Sequence, residues 1–275
     1  MIRFISKAIL YTLLFLVFME FISYLLISNF RLSKAIGVKK EFQNILELTK
    51  NANTSIDSDT LYLGDSVGRQ LFPTGVKKNY VTSTGGTLVH GNLVLLKKAL
   101  KNNPSLKVVN YVVVPYSLGL DIKYESSSSS FIKPFMSLYN LSELNESLFG
   151  FLKSKPLSLL YLTNTGKFIP MDDILFGPEH YYDIYNLSDY AIQSIRSLVE
   201  YCNENGLILN IVSPPLPEMH SERKRIRNIK EKTRGDNLIS PLINRYLDSI
   251  IFLPRNLYRD DLHLSRAYLR NLLMN

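Results

Sequence analysis

The chain of 275 residues is long enough for one large domain or two small ones, and its 46% hydrophobic content can build a substantial core. A single cysteine, Cys202, excludes an intramolecular disulfide and a multi-cysteine zinc site. The net charge of +8 admits anionic partners such as lipid or an acidic polysaccharide, but there is no nucleic-acid-binding motif and no Trp, so nucleic acid is not expected.

The first feature along the chain is Ala8 to Phe30, an apolar run with Glu20 as its one charge. A helix needs about 20 apolar residues to cross a hydrocarbon core of roughly 30 Å. The run fits that length. No small-residue cleavage site follows it, and it lacks the polar face of a buried globular helix. Residues 1–30 therefore read as a single-pass transmembrane anchor. Within it, Glu20 either packs against a partner membrane protein or is neutral or snorkels. Arg3 and Lys7 precede the run, and Arg31, Lys34, Lys39 and Lys40 follow it, so charge bias does not orient it.

Residues 31–58 read as a juxtamembrane linker, with a short helix over 41–50 and a polar stretch from Asn51 to Asp59. From residue 59 on, short apolar runs alternate with helical patterns. Strands are expected near 60–64, 79–83, 107–115, 207–213 and 249–253. The runs at 107–115 and 207–213 have the composition of strands buried on both faces. Helices are expected over Thr87 to Leu100, over Asp189 to Asn205 with Gly206 closing it, over Pro241 to Asp248, and after Ser265 as N-cap. This alternation predicts a three-layer α/β sandwich around a mainly parallel five-stranded sheet. The stretch at about 118–188 breaks the rhythm. It is rich in Tyr and Phe, carries the serine run Tyr124 to Ser130, and reads as an insertion over the top of the sheet. Cys202 falls in a helical pattern and reads as a small core residue. The basic run Arg223 to Arg234 reads as a solvated helix face or as a surface for anionic lipid or polysaccharide.

Ligands of parallel α/β sheets bind beyond the carboxyl ends of the strands. Gly64-Asp65-Ser66 falls at such an end. Gly64 permits a sharp turn, and Ser66 opens the next helix, where its N–H can face an oxyanion. Asp260 and His263 follow the last expected strand by a short loop. Their spacing lets a single turn set the carboxylate against imidazole Nδ1, which orients the base that a serine nucleophile needs. Asp261 is the adjacent alternative orienter; spacing favours Asp260, with Asp261 facing solvent or capping a helix. Gly85-Gly86 follows the second expected strand and offers a second oxyanion donor, or is a plain turn.

Together these blocks resemble the SGNH/GDSL hydrolase superfamily, from about residue 59 to the end with the insertion unmatched. Gly64-Asp65-Ser66 looks like its nucleophile block, Gly85 or Gly86 like its oxyanion glycine, and Asp260-Asp261-Leu262-His263 like its Asp-x-x-His block. The resemblance implies a flavodoxin-like sandwich, with Ser66, Asp260 and His263 as catalytic residues, oxyanion donors at Ser66, Gly85 and Gly86, and no cofactor. The family's third block usually supplies an oxyanion asparagine after the third strand. Here that place reads Val114-Pro115-Tyr116-Ser117-Leu118, without asparagine, and Ser117 or a backbone N–H is the replacement at hand. The membrane span, this altered block and Ser213 to Pro217 resemble the extracytoplasmic members tied to cell-envelope acylation, including alginate O-acetylation and lipoteichoic-acid D-alanylation proteins. That implies acyl transfer to a polysaccharide outside the cytoplasm, beside a multi-pass membrane acyltransferase, with the C-terminal domain outside. The missing asparagine also suits a non-catalytic glycan-binding or scaffold protein.

Other polar residues carry weaker signals. His90 lines the pocket or packs; His180 sits in the insertion and can touch substrate; His220 is expected at the surface. Arg69, one turn beyond Ser66, either holds an anionic group or is a surface arginine. No metal-ligand spacing appears, since Glu179-His180 alone is too little.

Overall fold

A computed structural model of the protein describes residues 2–28, 52, 54, 58–65, 67–68, 80–82, 89–120, 163–166 and 185–269. The expected linker helix over 41–50 and most of the insertion lie outside the described residues. Helix α1, Ile2–Ser28, contains the apolar run as far as Ser28, and its window Arg3–Leu26 has mean hydropathy 2.1. It is long and apolar enough to cross a membrane, and its side chains from Arg3 to Phe18 are exposed.

Glu20 makes a contact that neither expected reading included. Its carboxylate accepts from the backbone N–H groups of Asn164 at 2.6 Å and Thr165 at 2.9 Å, and from the Thr165 hydroxyl at 3.0 Å. The buried Ser23 hydroxyl donates to Thr165 Oγ1 at 3.3 Å, and Gly166 N–H closes the turn onto Thr163 Oγ1 at 2.9 Å. The charge is thus spent inside the chain, holding a turn of the insertion against the last third of α1.

The main sheet has four parallel strands in the order β2-β1-β3-β4: β1 Thr60–Gly64, β2 Tyr80–Thr82, β3 Val108–Val112 and β4 Ile208–Val212. Gly64 pairs with Val112 and Thr82, so the strands end level at one edge. Between them lie α2 Val89–Asn102, α3 Pro115–Leu118 and α4 Asp189–Glu204, followed by α5 His220–Thr233 and α6 Ser240–Asp248. Pro115 ends the β-branched run earlier than expected by opening α3, where its missing N–H costs nothing. Ser188 caps α4 by accepting from Ala191 N–H at 3.0 Å, and Gly206, at φ +66°, ends it as expected. After α6, Ser265 accepts from Tyr268 N–H at 3.3 Å and caps the helical residues that follow.

The expected fifth strand does not join this sheet among the described residues. Its residues Phe252–Leu253 form β6, which pairs in parallel with β5, Leu216–Pro217, in a separate two-stranded sheet. Pro214 and Pro215 lack N–H groups and turn the chain away from β4. The next donors, Leu216 N–H and Glu218 N–H, then bond Ile251 and Leu253 carbonyls, each at 2.9 Å. The expectation that the fourth strand is buried on both faces fails for the same reason, since Ile208 is 60% exposed.

Leu61 and Leu63 of β1 and Val109 and Tyr111 of β3 join one core with Leu95 and Leu96 of α2, Ile195 and Leu198 of α4, and Ile243 and Tyr246 of α6. Helix α2 packs on α4, and α5 packs on α6. Cys202 is buried in this core, and burial pushes its thiol up to about 12, as suits an inert packing residue. The basic run lies on α5, where the cations are largely paired. Arg223 meets Glu218 at 3.1 Å, Lys232 meets Asp189 at 2.9 Å, and Lys230 meets Asp248. Arg225 is buried against Glu222, with its guanidinium 5.4 Å from the Tyr116 ring centroid. The run forms local ion pairs on the exposed side of α5, with Arg225 turned inward.

Gly64 sits at φ +152°, and a Cβ there would lie 2.3 Å from the Val112 carbonyl oxygen. Gly64→Ala should therefore cost about 3 kcal/mol, read as a lower denaturation midpoint in detergent. Glu20→Ala should speed amide exchange of Asn164 and Thr165 about tenfold while leaving β1 and β3 unchanged.

Candidate active site

The strand order reverses between β1 and β3: from β1 the chain goes outward to β2, and β3 then starts on the other side of β1. Such a switch point leaves a crevice at the carboxyl edge. Asp65 ends β1 there and is 5% exposed. Its Oδ1 accepts from Val67 N–H at 2.9 Å and Gly68 N–H at 3.3 Å, so Asp65 caps the backbone at those two residues. Its Oδ2 accepts from the Ser117 hydroxyl at 3.1 Å, which crosses from the segment after β3. One residue earlier, Gly64 N–H donates to Asn92 Oδ1 at 3.0 Å; Asn92 is fully buried on α2.

The second half of the site is a loop closed at its neck. Tyr258 bridges Leu264, Arg259 N–H donates to the His263 carbonyl at 2.8 Å, and Ser265 N–H donates to the Leu257 carbonyl at 2.8 Å. Within the loop, Asp260 Oδ1 accepts from Leu262 N–H at 3.0 Å, from His263 N–H at 2.8 Å and from His263 Nδ1 at 2.9 Å. This bond places the imidazole proton on Nδ1 and leaves Nε2 as the acceptor. Arg259 also reaches Asp260 Oδ2 at 3.2 Å. Asp261 points outward to Arg255 at 2.7 Å, as the spacing suggested.

The two halves meet through packing and charge. Val67, Val114 and Leu216 form a small apolar cluster against which Leu262, Tyr116 and Phe252 pack. Val67 follows Ser66, and Leu262 precedes His263. The His263 charge also acts on Asp65 across the crevice.

Ser66, Arg69, Gly85, Gly86 and His180 lie outside the described residues. Ser117 is in the site, but its hydroxyl is given to Asp65. His90 is buried on α2 with its ring 6.4 Å from Tyr190 of α4, which makes it a packing residue between those helices. His220 is exposed at the start of α5. Among the described residues no three His, Cys, Asp or Glu side chains gather as a metal site. Sequence reasoning missed Asn92. The signal was there, a polar residue at a core position of an otherwise apolar helical pattern.

The two carboxyls differ in environment. Burial, the largest influence, pushes Asp65 up; Gly68 N–H, Val67 N–H, the Ser117 hydroxyl and the His263 charge offset it in part. Desolvation also raises Asp260, but the His263 and Leu262 N–H donors and the His263 ring outweigh it and hold the group well below the usual carboxylate range.

No protein-family model matches the chain, and no curated protein or solved structure matches it either.

A carboxyl raised by folding favours the native state below its unfolded value, and that contribution is lost as pH rises through the raised value. A depressed carboxyl stabilises above its unfolded value and loses this as pH falls through the depressed one. Asp65→Asn should therefore raise Tm relative to wild type at about pH 8, with the gain shrinking toward about pH 4. Asp260→Asn should lower Tm at about pH 8, and the deficit should close only in strong acid. Thermal melts across pH check both signs.

Proposed function

We propose that this protein is a membrane-anchored serine O-acyltransferase or acyl esterase of the SGNH/GDSL kind, acting on an envelope or exported polysaccharide. The observation that carries this reading is the joining of two distant segments at the switch point. Val67, next to Ser66, belongs to the cluster that Leu262 packs against, and Leu262 is next to a His263 already oriented by Asp260. Strand order β2-β1-β3-β4 and two helix pairs support a flavodoxin-like sandwich.

Ser66 Oγ attacks the acyl carbonyl while His263 Nε2 takes its proton. Backbone N–H groups at Ser66 and at Gly85 or Gly86 hold the oxyanion. Collapse of the tetrahedral intermediate returns the proton to the departing alkoxide and leaves an acyl-serine. A sugar hydroxyl or water then gives its proton to His263 and takes the acyl group, and His263 returns the proton to the departing Ser66 Oγ. Asp260 holds the tautomer throughout. The span of α1 fits a catalytic domain outside the cytoplasm, receiving acyl groups from a multi-pass membrane acyltransferase. No cofactor is needed for this chemistry.

One observation favours a non-catalytic glycan-binding scaffold instead. The place of the family's oxyanion asparagine holds Ser117, whose hydroxyl is committed to Asp65.

A fluorophosphonate probe separates the two readings. Wild type should label covalently, Ser66→Ala should not, and Asp260→Asn should label about 10³- to 10⁴-fold more slowly. Labelling of wild type no faster than Ser66→Ala would sink the enzyme reading.

A further inference from the structure

We infer that Ser117 is the positioning residue of this site: its hydroxyl fastens the Asp65 carboxylate across the β1–β3 crevice and so fixes the turn that carries Ser66. This role rests on the serine-enzyme reading for its chemistry, though its structural half stands on geometry alone.

Ser117 is 7% exposed on α3, whose position is set from both sides. Its backbone N–H donates to the Val114 carbonyl at 3.0 Å, and Tyr116 packs on the Val67 cluster and under the Arg225 guanidinium. The Oγ therefore has a fixed origin, and it donates to Asp65 Oδ2 at 3.1 Å. The other carboxylate oxygen of Asp65 holds the N–H groups of Val67 and Gly68. A planar carboxylate with both oxygens engaged cannot rotate, so the Ser117 bond sets the direction in which Oδ1 presents itself to those two amides. Ser66 is joined on both sides to residues in this grip. Asn92 holds the preceding residue, Gly64, from α2, so the strand end and the turn are clamped by different elements.

This assigns Ser117 a different task from an oxyanion donor. A hydroxyl has one proton, and here it is donated to Asp65 Oδ2. Oxyanion stabilisation then falls to backbone N–H groups, while the third block of this chain supplies rigidity. The hydroxyl also favours the charged form of a carboxyl that burial disfavours. Among the described residues, the titratable groups that act on Asp65 or feel its charge are His263 from the C-terminal loop and Tyr246 from α6.

The test uses the full-length chain in detergent, with amide exchange and fluorophosphonate labelling as independent readouts. Ser117→Ala should speed exchange at Val67 and Gly68 about tenfold, leave Gly64 N–H unchanged, and slow labelling about tenfold to a hundredfold. Ser117→Thr, which keeps the hydroxyl, should restore both the exchange and the labelling rate. In the Asp65→Ala background, Ser117→Ala should add little, since both changes remove the same link. Unchanged exchange at Val67 and Gly68, no rescue by Ser117→Thr, or an additive double variant would each overturn the assignment. Wild type labelling no better than Ser66→Ala removes the enzymatic reading alone, because the exchange result still decides whether Ser117 fixes the turn.

Discussion

The hydrogen bond between Ser117 and Asp65 crosses the one place where the main sheet changes direction. On one side the chain leaves β1 toward β2; on the other it leaves β3 toward β4. Divergent connections open a crevice there, and an open crevice needs something to hold its walls together. A carboxylate does this well because it accepts from several directions at once. Asp65 takes two N–H groups from its own turn and one hydroxyl from across the gap. Gly64 makes the placement possible, since any side chain there would meet the Val112 carbonyl and push β1 away from β3.

The site separates two carboxyls by their surroundings. Asp65 is buried and held mainly by neutral donors, which suits a fixed structural group whose charge is costly. Asp260 sits in an open loop with two backbone donors, an imidazole and Arg259, which suits a group that must stay ionised beside a base. His263 is bonded to Asp260, and its charge acts on Asp65. The division follows from local chain chemistry. Asp260 is the first residue of a turn whose N–H groups fold back on it, whereas Asp65 is buried where a strand meets a helix start.

Much of the fold was legible because period and punctuation agree over long stretches. The pattern from Asp189 to Gly206 carries an apolar face and a terminating glycine, and it folds as read. The Asp260–His263 contact was legible for the same reason, since three positions make one turn. Strand partners were not. Nothing local in Ser249 to Leu253 says whether it pairs with β4 or with Leu216–Pro217, and the two prolines decide it through donors they lack. The Ser117–Asp65 contact was not legible, because sequence cannot show where a hydroxyl proton points. Asn92 escaped notice because a buried side-chain carbonyl serving a strand end resembles any polar residue on a helix.

The grip of Glu20 on Asn164 and Thr165 changes what the N-terminal helix is mechanically. From Arg3 to Glu20 is about 26 Å of helix, close to the thickness of a hydrocarbon core. Glu20 stands near the end of the apolar window Arg3–Leu26, so the turn it grips is tied to that end of the helix, and a pull on Asn164 or Thr165 is a pull on α1.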